Sequence, residues 1–135
     1  MFTVTDYQEL VALNRALMEV RYLADNVDDA TRGSSFLSIL HVRVVDAIKA
    51  TLSESGNAGQ LSDWEKWQLL ENRERELPRI MKYLATFWPG LPSEEGKRSV
   101  MISMLRPFIF TDDDLQRLIS QLDEMMANGP SDIDE

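Results

Sequence analysis

A chain of 135 residues with no cysteine, 44% apolar and 27% charged, is long enough for one domain whose core needs neither disulfides nor thiolate-bound metal. Its net charge of −9 is uneven: six acids stand against two bases in residues 1–30, nine against eleven in 31–110, and eight against one in 111–135. Acidic ends around a mildly basic middle disfavour direct nucleic-acid binding, which requires a basic excess. No apolar run approaches the ~18 residues of a membrane span. The opening MFTVTDYQELV has no basic stretch followed by an apolar one, so no signal peptide is expected, and the expected compartment is the cytoplasm.

In chain order, Thr5 and Gln8 have the spacing of a capping box. Leu10, Leu13, Leu17 and Val20 then fall on one helical face. Asn26 to Gly33 is polar and reads as a loop. Ser34 or Ser35 caps a second helix, whose apolar set is Phe36, Leu37, Ile39, Leu40, Val44, Ile48 and Leu52. The turn-forming stretch Ser53 to Gly59 ends it. Ser62 with Glu65 reads as a further capping box, placing a third helix from Asp63 onward. Pro78 interrupts that helix as a kink, or as a break in which it takes the first position of a new helix. Trp88 to Pro92 is a stop. Ser93 caps a fourth helix with Glu94 and Glu95 in its first turn, and Pro107 closes it. A fifth helix runs from Asp112 to about Ala127, halted by Asn128, Gly129 and Pro130.

The expected fold is therefore all-α: a compact bundle of about five helices in a single domain over residues 1–129. A disordered acidic tail is expected over 130–135.

The run Thr111-Asp112-Asp113-Asp114 looks at first like a metal site. EF-hand spacing is absent, and successive residues on a helix point about 100° apart, so the three carboxylates do not converge. Thr111 reads instead as an N-cap with Asp114 completing the box, and the acids favour the positive end of the helix dipole. Leu115, Leu118, Ile119, Leu122, Met125 and Met126 then follow at helical spacing. Asp113, Arg117, Ser120 and Glu124 lie on the opposite face. With Asp123 and the tail they make one end of the molecule negative, a field that draws in a basic partner.

His41, the only histidine, sits among apolar residues without a nucleophile–base pattern and reads as a hydrogen-bonded core or boundary residue. No G-x-S-x-G elbow, G-x-G-x-x-G or P-loop is present, so no cofactor is expected. Trp64 and Trp67 project off the apolar face of the third helix. They read either as a second core contact or as an exposed aromatic pair of the kind enriched in binding hot spots. Arg73, Arg75, Arg79 and Lys82 interleave with Glu71, Glu74 and Glu76 as a solvated face, with Glu71 and Arg75 paired at i,i+4. Lys97, Arg98 and Arg106 add base that an acidic end of a second copy would meet, so self-association is one expectation. Met101, Met104, Met125 and Met126 are expected to pack together.

These features point to a non-enzymatic protein–protein interaction module, an adaptor, inhibitor or regulatory subunit that binds stoichiometrically. The partner-binding residues are Asp113, Arg117, Asp123, Glu124, Trp64 and Trp67, and the expected partner has a basic surface. The alternative is an acidic nucleic-acid mimic that blocks a nucleic-acid-binding protein. A small helical enzyme or metal-binding protein is the remaining reading.

Overall fold

The computed structural model describes residues 2–128; the expected tail over 130–135 lies outside them. Among the described residues the chain is helical throughout, with no β-strand and a single isolated bridge. Helix α1 (Tyr7–Met18) runs into a π turn (Glu19–Leu23), and α2 (Asp29–Arg32) is one turn long. There follow α3 (Ser35–Glu54), α4 (Ala58–Gln68), α5 (Glu76–Ala85), α6 (Glu94–Leu105) and α7 (Asp112–Ala127). Among the described residues no helix is long and apolar enough to cross a membrane.

Among the described residues seven α-helices replace the expected five. The additional elements come from two places. Asp28 caps α2 by accepting from the Thr31 backbone N–H at 2.7 Å, which turns part of the expected 26–33 loop into a helix. The expected third helix is split into α4 and α5. Helix α4 also begins at Ala58, five residues before Asp63, because Asn57 caps it by accepting from Gln60 N–H at 3.1 Å. The expected box of Ser62 and Glu65 thus falls inside the helix. At the N-terminus, Asp6 rather than Thr5 is the cap, accepting from Glu9 N–H at 3.0 Å.

The split lies at residues 69–75, ahead of Pro78, and tertiary pairing causes it. Ile109 N–H donates to the Gln68 carbonyl at 2.8 Å, and Leu70 N–H donates to the Ile109 carbonyl at 3.3 Å. Gln68 Nε2 adds a bond to the Pro107 carbonyl at 2.8 Å. Groups that would continue the α-helix are spent on the segment before α7, and Leu69 turns extended. Pro78 is the third residue of α5, where a backbone N–H has no intrahelical acceptor, so the proline costs that helix nothing.

Two apolar clusters form the core. One gathers α5, α6 and α7 around Trp88, Leu84, Met101, Leu105, Leu118 and Leu122. Met104, Met125 and Met126 belong to it, so the methionines of the last two helices do pack in one cluster. The other joins α1, α3 and α4 through Leu10, Leu17, Val44, Ile48 and Leu52. Trp64 packs on the second cluster and Trp67 on the first, their rings edge-to-face at 5.3 Å, so the pair links the two.

Candidate functional site

A buried polar network lies between the clusters. Arg21, 1% exposed, has no carboxylate partner among the described residues. It donates to the carbonyls of Ser103 at 2.7 Å and Arg106 at 2.5 Å, at the C-terminus of α6. The Tyr22 hydroxyl lies 2.9 and 2.8 Å from the Met104 and Arg106 carbonyls and shares its single proton between them, and Ser38 donates to the Ser103 carbonyl at 2.7 Å. These are the orphan carbonyls of a helix end, where the dipole favours a cation. Burial lowers the Arg21 pKa from its usual value, against the pull of Tyr22, and raises that of Tyr22.

Behind Arg21 stands His41, fully buried on α3. Its Nδ1 accepts from Arg21 at 2.9 Å and its Nε2 meets Asn14 Oδ1 at 2.7 Å. A guanidinium only donates, so Nδ1 must be the bare nitrogen and Nε2 must carry the proton. Burial, and then the Arg21 charge, push the His41 pKa down to about 3. His41 is thus a hydrogen-bonded core residue, as its neighbours in sequence suggested. Asn14 and Arg21 were not singled out by the sequence, because an apolar stripe gives no sign of polar residues inside it.

The sequence-selected acids of α7 occupy different environments. Thr111 and Asp114 form the expected capping box, with both bonds at 3.0 Å. Asp113 and Glu124 are exposed. Arg117 is exposed and pairs with Asp114 at 3.2 Å. Asp123 is half-buried and committed within the chain: it accepts from Trp88 Nε1 and from Lys97 Nζ, each at 2.9 Å. The Lys97 bond is the larger cause holding its carboxyl below the usual range. Arg98 approaches Asp112 at 3.5 Å, so Lys97 and Arg98 meet acids of their own α7. Among the described residues no three His, Asp or Glu side chains are grouped to hold an ion.

A groove of about 520 Å³ opens where the bridged segments meet. Leu69, Leu70, Leu77, Ile109 and Phe110 make its apolar part, and Ile109 is 48% exposed. Glu71, Glu74, Asp114 and Arg117 stand around it. Glu71 and Glu74 are exposed and make no ion pair among the described residues, so the expected bond between Glu71 and Arg75 does not form. The helix that would have set them one turn apart is broken between them.

A second cleft, of about 450 Å³, lies between α1, α4 and the start of α5. It holds Trp64 and Trp67, both half-buried. Trp64 Nε1 donates to the Tyr7 hydroxyl at 3.2 Å. Arg73 lies over Trp67 at 4.9 Å and over Phe108 at 5.6 Å, and it approaches the buried Glu76 carboxylate at 3.7 Å. The expected solvated face of Arg73 and Glu76 is therefore an inward ion pair, with only Arg75 on its outer side.

Of the sequence-selected residues, Arg117 lines the groove, the two tryptophans line the cleft, and Asp123 is part of the packing between α6 and α7. Comparison of the chain with protein-family models, curated proteins and solved structures gives no match.

Proposed function

We propose that the protein is a stoichiometric binding module that takes a basic, partly apolar segment of another protein into the groove beside Ile109. One observation carries this reading: a half-exposed isoleucine sits among further apolar groups, under a rim with two glutamates that make no ion pair among the described residues. An apolar face with acid along its edge is the complement of an amphipathic basic helix or strand. The chain's net charge of −9 adds a field that speeds encounter with such a partner and weakens with salt. Asp113 and Glu124 on the exposed face of α7 extend that field. The reading involves binding without turnover. A nucleic-acid mimic has less to stand on, since Asp123 is tied to Trp88 and Lys97 and Asp112 is near Arg98.

The test is affinity capture with wild type, Ile109→Asp, and Glu71→Lys with Glu74→Lys. A partner held by wild type should be lost as salt rises. Ile109→Asp should weaken it at least tenfold, a loss of about 1.4 kcal/mol. Capture that survives both groove variants would place the interface elsewhere.

A further inference from the structure

The tryptophan cleft shares no lining residue with the groove, and its chemistry has the opposite sign. In a chain of charge −9, its walls carry Arg15, Arg73 and Arg75 against Glu19 and Glu76. Glu76 is already engaged by Arg73 at 3.7 Å and by Arg75 at 3.5 Å. Arg15 is exposed at the rim, with no ion pair among the described residues.

Asn14 gives the cleft a direction. It lines the cleft yet is only 6% exposed. Arg21 must donate to His41, so His41 must donate to Asn14, so the Asn14 carbonyl is turned inward and taken. What Asn14 has left is its amide N–H pair, which makes no hydrogen bond among the described residues. Each step in this chain donates toward the cleft, and a buried cation stands at its rear. Hydrogen bonds aligned this way polarise one another, which makes the last one a stronger donor. A fixed donor of this kind, backed by positive charge and flanked by two aromatic rings, selects an acceptor that is anionic and a body that is flat and apolar.

We propose that this cleft is a binding site for a small aromatic carboxylate, its acid group accepting from Asn14 Nδ2 and its ring lying against Trp64 and Trp67. The rim arginines supply the field that favours the anion. The site stands apart from the groove: loss of partner capture on groove variants leaves it intact, and failure of carboxylate binding leaves the groove intact.

The test uses the full chain, labelled with ¹⁵N, and benzoate as the probe. Benzamide serves as the neutral isostere and inorganic phosphate as the anion without a ring. Benzoate should shift the Asn14 side-chain amide and the Trp64 and Trp67 indole signals along one saturating curve. Benzamide should bind at least tenfold more weakly, and phosphate should leave the indoles unmoved. Arg15→Gln and Arg15→Glu, at an exposed side chain with no ion pair among the described residues, should weaken benzoate in that order, the charge reversal at least threefold, while the unfolding midpoint stays unchanged. Asn14→Asp, which replaces the donor by an acceptor, should abolish binding. The rim variants keep the test valid if Asn14→Asp fails to fold. The proposal is overturned if benzoate moves no Asn14 signal at about 10 mM, ten times a weak Kd of about 1 mM. Equal affinity for benzoate and benzamide overturns it as well.

Discussion

Arg21 donates to Nδ1 of His41 over 2.9 Å, and neither side chain reaches solvent. That bond requires a neutral imidazole, because a protonated ring would place two cations in contact. Tyr22, whose ring lies 6.3 Å from that of His41, offers no counter-charge. Folding therefore holds the His41 pKa at about 3, against 6.5 in the unfolded chain. As pH falls below 6.5 the unfolded state takes up the proton first. The stability tied to the neutral ring is present above 6.5 and drains away toward pH 3. The loss between pH 7 and pH 5 should be roughly 2 kcal/mol, a window in which ordinary carboxylates stay ionised. Urea unfolding at those two pH values measures it. His41→Gln should flatten the dependence, whatever its own cost, and a wild type equally stable at both would refute the assignment.

Arg21 closes the end of α6 with a geometry that lysine lacks. Its fork reaches the Ser103 and Arg106 carbonyls and His41 at once, leaving only Nε without a partner. A lysine ammonium is a single point on a flexible stem and does not span these acceptors. Arg21→Lys should cost about 2–3 kcal/mol, because buried carbonyls lose donors while the charge stays buried. Arg21→Ala should cost about 3–5 kcal/mol through the same loss and the cavity it leaves. Ser38→Ala removes one of the two donors to the Ser103 carbonyl and should cost only about 1 kcal/mol. Denaturant midpoints give the order, and an Arg21→Lys protein as stable as wild type would rule out the fork as the reason for the arginine.

This network also marks where the sequence stopped being readable. The α7 pattern was legible because every part agreed: a capping box, acids in the first turn, and buried Leu115, Leu118, Ile119 and Leu122. Along α1 and its π turn the apolar reading chose Leu10, Leu13, Leu17 and Val20; Leu10 and Leu17 are buried, but Asn14, Met18, Arg21 and Tyr22 are buried with them and Leu13 and Val20 are only half-buried. The stripe is rotated because polar residues satisfied by partners on other helices can lie inside, and a single helix shows no such partners. On α3 the same effect puts Ser38 and His41 inward and leaves Phe36 82% exposed. The break at 69–75 was equally hidden, since it depends on Ile109, forty residues downstream of Leu69. Of the candidate residues, Trp64 and Trp67 were found by their position off the apolar face. The groove was not foreseen, because its walls come from two segments that meet only in the fold.

Asp123 was chosen from sequence as a surface acid, yet it supports the packing of Trp88. The indole is 1% exposed, and its Nε1 donates to Asp123 at 2.9 Å. Asp123→Ala leaves that donor without its partner and should cost about 1–2 kcal/mol. Asp123→Asn keeps an acceptor and gives up the charge facing Lys97, so its cost should be smaller, under about 1 kcal/mol. Because the Lys97 bond lowers the Asp123 pKa, this stability is present above the usual carboxylate value and is lost as pH falls through the folded one. Urea titrations, read by tryptophan fluorescence, rank the two variants. Equal costs would show that the charge, and not the indole bond, is what matters.

Gly33 is held small by one atom of a distant helix. A Cβ built there would overlap the Tyr83 hydroxyl, which donates to the Asp29 carbonyl at 3.0 Å and pins α2 to α5. The next ring atom of Tyr83 stands 3.5 Å away, an ordinary contact. Gly33→Ala should therefore displace the tyrosine and cost about 1–2 kcal/mol. Tyr83→Phe gives up the bond to Asp29 and should cost about 1 kcal/mol. Combined, the two should cost at least 0.5 kcal/mol less than their sum (the order of coupling between touching residues), because the phenylalanine has already removed the atom that the new methyl would strike. A double-mutant cycle in urea measures that coupling. Strict additivity would mean that the alanine meets the Asp29 carbonyl, 3.2 Å from the same position, and that Tyr83 moves aside at no cost.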